Sequence, residues 1–155
     1  MPLYAAGLAI AAFGEAVRFW AAGHLEKNTR LTMSGPYVWT RNPLYFGSAW
    51  IGLGFSLATG RVFLVAAVVG LFVAVYVPVM KREAARLAET FPAAYGAYAD
   101  RTPLFWPRPR KVWPRRPKAG DEEGGFSTKR LLANREHLTV AGWIAVAGIV
   151  GWKLL

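Results

Sequence analysis

The sequence predicts an all-α integral membrane protein, with about four transmembrane helices and a cytoplasmic amphipathic helix. Hydrophobic residues make up 54% of its 155 residues, and the mean hydropathy is +0.24. The apolar residues form long runs, and a helix of about 20 such residues crosses a bilayer. A chain of this length is predicted to be one domain, 1–155. The predicted spans are residues 3–22, 44–58, 62–80 and 138–152.

The positive charge lies almost entirely between the predicted spans. The net charge is +10, and segments 23–42 and 81–137 hold three and thirteen of the 19 Lys and Arg residues. Because basic loops remain on the cytoplasmic side of a membrane, both segments are predicted to be cytoplasmic and both termini external. A prokaryotic inner membrane is the predicted location, with any active site facing the cytoplasm.

The connector before the second span ends in a cluster of polar and aromatic residues. Asn42 and Pro43 predict a helix start, in which the Asn side chain accepts from a free N–H and proline takes the first position. With Arg41 beside that positive helix end, the cluster suits a ligand that has an anionic end and a flat apolar ring. The alternative is an interfacial turn with an aromatic belt and a snorkelling arginine. The aromatic residues of the cluster are Tyr37, Trp39 and Tyr45.

Two charged residues interrupt the first predicted span. Glu15 and Arg18 are three residues apart and therefore lie on one helical face. Charged residues in a span usually face the bundle and pair with each other, so a structural ion pair is the favoured interpretation. The alternative makes them walls of a polar pocket.

A helical pattern follows the third span. Apolar residues recur there every three or four positions, which predicts an amphipathic helix at the membrane surface, broken at Pro92. Pro78 precedes this helix and frees a backbone carbonyl. Glu83 is the acidic residue nearest its membrane end. The apolar positions are Met80, Ala84, Leu87, Phe91, Tyr95 and Tyr98.

Residues 101–118 are rich in proline, arginine and tryptophan. Basic residues with interleaved aromatics can bind single-stranded nucleic acid, but attraction to anionic lipid headgroups explains the pattern more simply beside a membrane. Membrane lipids are therefore the predicted partners, and no nucleic acid is expected. The chain has no cysteine, and no metal-ligand spacing surrounds His24 or His137, so no metal site is predicted.

Two blocks of sequence resemble a known family. The first is Gly35-Pro36-Tyr37-x3-Arg41-Asn42-Pro43-x-Tyr45-x-Gly47; the second is Glu83-x3-Leu87-x3-Phe91-x3-Tyr95-x2-Tyr98, followed by Arg101-Thr102-Pro103. Both are similar to the isoprenylcysteine carboxyl methyltransferases and their phospholipid methyltransferase relatives. The similarity covers roughly residues 10–107 and includes both blocks in order.

The resemblance implies a membrane-embedded methyltransferase with no Rossmann domain. It would use S-adenosyl-L-methionine and a lipid-like or membrane-partitioned acceptor. It implies a cytoplasmic cofactor pocket roofed by the amphipathic helix, with Arg41 and Glu83 as the catalytic residues. Leu31 and Gly35 would contribute through backbone and packing. By match to the motif, the pocket would be lined by Tyr37, Arg41, Asn42, Pro43, Tyr45 and Glu83.

The chain departs from the family pattern in ways that concern the acceptor more than the cofactor. Asn42 stands where the motif often has histidine, and Ala84 stands where many members have a second glutamate. One alternative enzyme class is an NADPH-dependent membrane reductase of the steroid-reductase type, whose cofactor would use the basic stretch 108–118. A third interpretation is a non-enzymatic membrane scaffold. The sequence does not name the accepting atom or the oligomeric state.

Overall fold

A computed structural model describes residues 2–26, 29–107 and 125–154, and this part of the chain contains helices and no strand. The predicted basic stretch 108–118 lies outside the described residues. The helices are α1 Pro2–His24, a short 3-10 helix Gly35–Val38, α2 Pro43–Ala58, α3 Val62–Thr90, α4 Pro92–Arg101, α5 Thr128–Ala133 and α6 Glu136–Leu154.

Each predicted span is a helix, so the all-α prediction is confirmed for the described residues. α1 and α3 are long and apolar enough to cross a membrane. α2 has 16 residues, and the apolar part of α6, Glu136–Trp152, is also shorter than a full span. Membrane crossing by α2 and α6 therefore stays a prediction.

α1 and α2 pack closely because glycines face each other across their interface. A methyl group added at Gly14 would lie 2.5 Å from the Gly47 carbonyl oxygen, and one added at Gly7 would lie 2.5 Å from that of Gly54. Small residues allow helix backbones to approach in this way inside a membrane. Gly47 and Gly54 of α2 therefore serve close packing against α1.

The predicted ion pair within α1 is wrong. Arg18 pairs instead with Glu136 at the start of α6, through an Nε–Oε1 distance of 2.7 Å and an Nη2–Oε2 hydrogen bond of 3.1 Å. Arg18 Nη1 also donates to Ser48 Oγ at 2.6 Å. One arginine therefore joins α1, α2 and α6, whereas neither carboxylate oxygen of Glu15 has a hydrogen-bond partner among the described residues.

The predicted surface helix is not a separate element over its first half. α3 continues from Val62 through Pro78 to Thr90 as one helix of 29 residues. The predicted break at Pro92 is confirmed, since Phe91 ends α3 and α4 begins at Pro92. Glu83 therefore lies on the same continuous helix as the candidate membrane span, 21 residues after its first residue, Val62.

α5 was not predicted, and it packs at the C-terminal end of α1. Asn134, which follows α5, donates from Nδ2 to the carbonyls of Ala22 at 2.9 Å and Leu25 at 3.1 Å. The Ser127 N–H donates to the Gly23 carbonyl at 2.8 Å. The last carbonyls of a helix lack partners within the helix, so these bonds stabilise that end of α1.

Candidate functional site

The two sequence blocks meet through the segment that follows α4. The Arg41 N–H donates to the Pro103 carbonyl at 2.9 Å. Thr40 Oγ1 donates to the Leu104 carbonyl at 3.2 Å, and Asn42 Nδ2 donates to the same carbonyl at 2.9 Å. The backbone of residues 103–104 therefore lies along residues 40–42.

Asn42 occupies the predicted cap position, but its side chain has a different role. Pro43 is the first residue of α2, as predicted, and the Asn42 carbonyl accepts from the Phe46 N–H at 3.0 Å. The Asn42 side chain makes no hydrogen bond to the first turn, because its amide is directed to Leu104. The predicted side-chain cap is therefore wrong, and Asn42 links the two blocks.

A second link is buried between the short helix and α4. The Tyr98 hydroxyl donates to the Tyr37 carbonyl at 2.8 Å, and both side chains are buried. Burial raises the pKa of both phenols above the ordinary value of 10.0 because it disfavours the phenolate. Tyr37 is thus held against α4, and a neutral phenol is its stable form.

Arg41 has a donor that no described residue uses. Its Nη1 donates to the Tyr95 hydroxyl at 2.8 Å, and its guanidinium carbon lies 5.7 Å from the centre of the Tyr95 ring. Its Nε–H is buried and has no hydrogen-bond partner among the described residues. A buried donor on a fixed positive charge, one residue from the cap of α2, suits an anionic ligand group.

Glu83 and Tyr45 form a more open edge of the same region. The Tyr45 hydroxyl donates to Glu83 Oε2 at 3.2 Å, and Glu83 is exposed. The Tyr45 ring lies 5.3 Å from that of Tyr76 on α3. Tyr45 of α2 therefore packs against α3, and its hydroxyl contacts the Glu83 carboxylate.

Gly35 and Leu31 lie in the connector that leads into the site. Gly35 has a φ of +58°, and a methyl group there would lie 2.7 Å from the His24 ring. Glycine is therefore required at this position by both conformation and space. Leu31 is half-buried, and Trp39 packs edge-on against Trp20 of α1, with 4.9 Å between ring centres.

The structure adds Tyr95 and Tyr98 to the predicted site. The sequence placed both only on an apolar helical face, at positions 95 and 98 of the second block. Each buried phenol instead bonds to the first block, Tyr95 to Arg41 and Tyr98 to Tyr37. A buried tyrosine hydroxyl usually finds a partner, and this is the signal that could have found them.

Comparison with known proteins gives a family and two relatives. The sequence profile of the phospholipid methyltransferase family matches residues 3–94. The chain is 36% identical over 104 residues to the cobalt-zinc-cadmium resistance protein CzcN of Cupriavidus metallidurans. The aligned region covers 66% of this chain and 46% of that protein.

The chain is also 35% identical over 94 residues to the nickel-cobalt-cadmium resistance protein NccN of Alcaligenes xylosoxydans xylosoxydans. The aligned region covers 59% of this chain and 43% of that protein. The chain thus spans less than half the length of either relative. No solved structure matches it significantly.

Proposed function

Because the chain belongs to the phospholipid methyltransferase family, within the isoprenylcysteine carboxyl methyltransferase-like group of membrane methyltransferases, we propose that it transfers a methyl group from S-adenosyl-L-methionine to a lipid-like or membrane-partitioned acceptor. The observation that carries the proposal is the buried, unused Nε–H of Arg41 where the two sequence blocks meet. Two candidate spanning helices, α1 and α3, support a location in the membrane.

The residues present fit the cofactor at its anionic end. Arg41 would bind the carboxylate through Nε–H, since its Nη1 is already held by Tyr95. The N-terminus of α2 adds a favourable field for a negative group, and the Asn42 side chain does not occupy it. Tyr37, Pro43, Gly35 and Leu31 would shape the site by packing.

Glu83 and Tyr45 would serve the polar groups of the cofactor or the acceptor. The Glu83 carboxylate can accept from ribose hydroxyls or an amino group, and it can also orient the attacking atom of the acceptor. The hydrogen bond from Tyr45 leaves further acceptor positions free on this carboxylate. Its exposed position suits contact with a ligand that enters the site.

The reaction requires positioning more than acid or base chemistry. S-adenosylmethionine supplies, when bound, a methyl group on a positively charged sulfur. The acceptor's lone pair forms the new bond to carbon as the carbon–sulfur bond breaks, and sulfur keeps the electron pair. The chain's contribution is alignment by Arg41, Glu83 and Tyr45, together with exclusion of water at the membrane edge.

Binding of radiolabelled S-adenosylmethionine to the purified chain, in detergent and in lipid, tests the proposal. We expect Arg41→Ala to weaken binding about tenfold or more, because it removes charge-assisted hydrogen bonds. Glu83→Ala should weaken binding or turnover. Arg61→Ala and Glu89→Ala remove the same side-chain types at exposed positions outside the site and should bind normally.

Absence of binding in both detergent and lipid would overturn the proposal, and so would normal binding and turnover by both Arg41→Ala and Glu83→Ala. A nicotinamide-fluorescence titration would reveal the NADPH-dependent reductase, and binding of neither cofactor would favour the scaffold. Extraction of lipids after incubation with labelled cofactor would identify the acceptor.

The names of the relatives favour a role in metal resistance as the biological setting. CzcN is named for resistance to cobalt, zinc and cadmium. We expect the chain to restore growth on cadmium in a strain that lacks such a relative, provided that Arg41 is intact. Equal restoration of growth by the Arg41→Ala variant would show that metal resistance does not depend on methyl transfer.

A further inference from the structure

A cleft of about 320 Å³ lies between α1, α2 and α6, apart from the region where the two sequence blocks meet. None of its lining residues belongs to 35–47 or 83–107. Its volume is at the low end of the roughly 300–1,000 Å³ of small-molecule sites. Its walls are almost wholly apolar, and the lining includes Glu15, Ile51, Phe55, Thr139, Trp143 and Val146.

Two polar groups of this cleft lack partners. Both carboxylate oxygens of Glu15 are buried, and neither has a hydrogen-bond partner in the part of the chain the structure describes. The same holds for Nε1 of Trp143. A buried carboxylate without a partner is costly, and in membrane proteins such groups usually mark a functional site.

The charges around the cleft are unbalanced. Arg18 lies one helical turn from Glu15, but its guanidinium is engaged by Glu136, Ser48 and Thr139. Arg18 is thus neutralised by Glu136, and Glu15 has no ion-pair partner among the described residues. The lining of the cleft contains no lysine, arginine or histidine. One further positive charge beside Glu15 would neutralise its carboxylate.

We propose that the cleft binds a protonated amine carried on a short apolar chain. The ammonium group would bind the Glu15 carboxylate, and the chain would pack against Ile51, Phe55 and Val146. The Trp143 ring lines the same cleft, and indole rings attract cations. An amine of this kind offers charge, hydrogen-bond donors and apolar surface together, as the cleft requires.

A metal ion fits the cleft less well. Glu15 is the one acidic residue in its lining, and no group of three His, Cys, Asp or Glu residues suited to a metal occurs among the described residues. Calcium takes six to eight oxygen ligands, which one carboxylate and one threonine do not provide. A single organic cation needs only one carboxylate.

The indole N–H signal of Trp143 gives a local test in the 155-residue chain. The chain is labelled with ¹⁵N-tryptophan in detergent micelles, and the Trp143 signal is assigned by its loss in Trp143→Phe. Hexylammonium chloride is the probe, and hexan-1-ol and sodium hexanoate are the matched neutral and anionic probes. We expect a saturable shift with hexylammonium and binding about tenfold weaker or more for hexanol.

Glu15→Gln keeps the shape of the side chain and should weaken hexylammonium binding about tenfold or more. Glu89→Gln, an exposed carboxylate on α3, should leave it unchanged. Equal binding of hexanol and hexylammonium would overturn the proposal, as would full binding by Glu15→Gln or no saturable shift. If Glu15→Gln does not fold, the comparison of the three probes on the unsubstituted chain still tests whether the cleft prefers an amine.

This inference is independent of methyl transfer. Arg41→Ala removes the predicted cofactor contact and should leave hexylammonium binding intact, because Arg41 does not line the cleft. Glu15→Gln should likewise leave S-adenosylmethionine binding intact. Either proposal can therefore fail while the other holds.

Discussion

The hydroxyl of Tyr98 on α4 donates a 2.8 Å hydrogen bond to the backbone carbonyl of Tyr37, 61 positions earlier in the chain. This bond is buried, and it joins the two blocks of sequence that resemble the methyltransferase family. Together with the bonds of residues 40–42 to residues 103–104, it holds the connector before α2 against α4 and the segment after it.

Tyr98→Phe should lower the free energy of unfolding by about 1–3 kcal/mol, because it leaves the buried Tyr37 carbonyl without its donor. The measurement is thermal or denaturant unfolding in detergent. Tyr76→Phe is the control, since the Tyr76 hydroxyl makes no hydrogen bond to another described residue. A loss of stability as large in Tyr76→Phe would show that the hydrogen bond is not the cause.

The raised pKa values of Tyr37 and Tyr98 predict alkaline instability. Burial keeps both phenols protonated in the folded chain, whereas in the unfolded chain they ionise near 10.0. Above that pH the unfolded chain binds fewer protons, so stability is full below 10.0 and falls as the pH rises further. Phenolate absorbance should therefore appear together with loss of helical circular dichroism.

Tyr98→Phe removes one of these two phenols and should reduce the steepness of the alkaline stability loss. Gradual ionisation of all tyrosines before any loss of helix would contradict the prediction, because it would mean that Tyr37 and Tyr98 are accessible in the folded chain.

The sequence predicted the helices and the residues of the first block well, because both depend on local patterns. Long apolar runs predicted the four helices, and Pro43 predicted the start of α2. The two blocks were also correctly expected to approach each other, as the bonds of Asn42 and Arg41 show. Cofactor contact by Arg41 and Glu83 stays a prediction.

What the sequence missed depends on distant partners. Helical spacing paired Arg18 with its neighbour Glu15, but the structure pairs it with Glu136, 118 positions away. Asn42 has the right residue type for a cap, yet its Nδ2 donates to the competing Leu104 carbonyl and its side chain makes no bond to the first turn of α2. Local patterns carry no information on such competitors, because the fold alone brings them together.

Glu136→Gln should lower the free energy of unfolding by about 3–5 kcal/mol, because breaking a buried ion pair leaves the other charge uncompensated. The Glu136 side chain is only 4% exposed, and its partner Arg18 joins three helices. Unfolding in detergent measures the effect. Adding Arg18→Met to Glu136→Gln should cost less than the sum of the two single losses, and simple additivity would show that the pair does not interact.

Tyr95→Phe tests whether Arg41 is positioned by the Tyr95 hydroxyl. The change removes the 2.8 Å hydrogen bond to Nη1 but keeps the ring, 5.7 Å from the guanidinium carbon. The guanidinium then gains freedom to turn, so S-adenosylmethionine should bind about fivefold to tenfold more weakly, equivalent to one lost hydrogen bond. Equilibrium binding measures the affinity, and KM for the cofactor should rise more than kcat falls.

The control for Tyr95→Phe is again Tyr76→Phe, which deletes a hydroxyl on α3 without touching Arg41. A merely structural role for Tyr95 would lower the unfolding temperature and leave the affinity of the folded fraction unchanged. Unaltered cofactor affinity in a stably folded Tyr95→Phe would therefore show that the guanidinium is held in place by its other surroundings, including the backbone bond from Arg41 to Pro103.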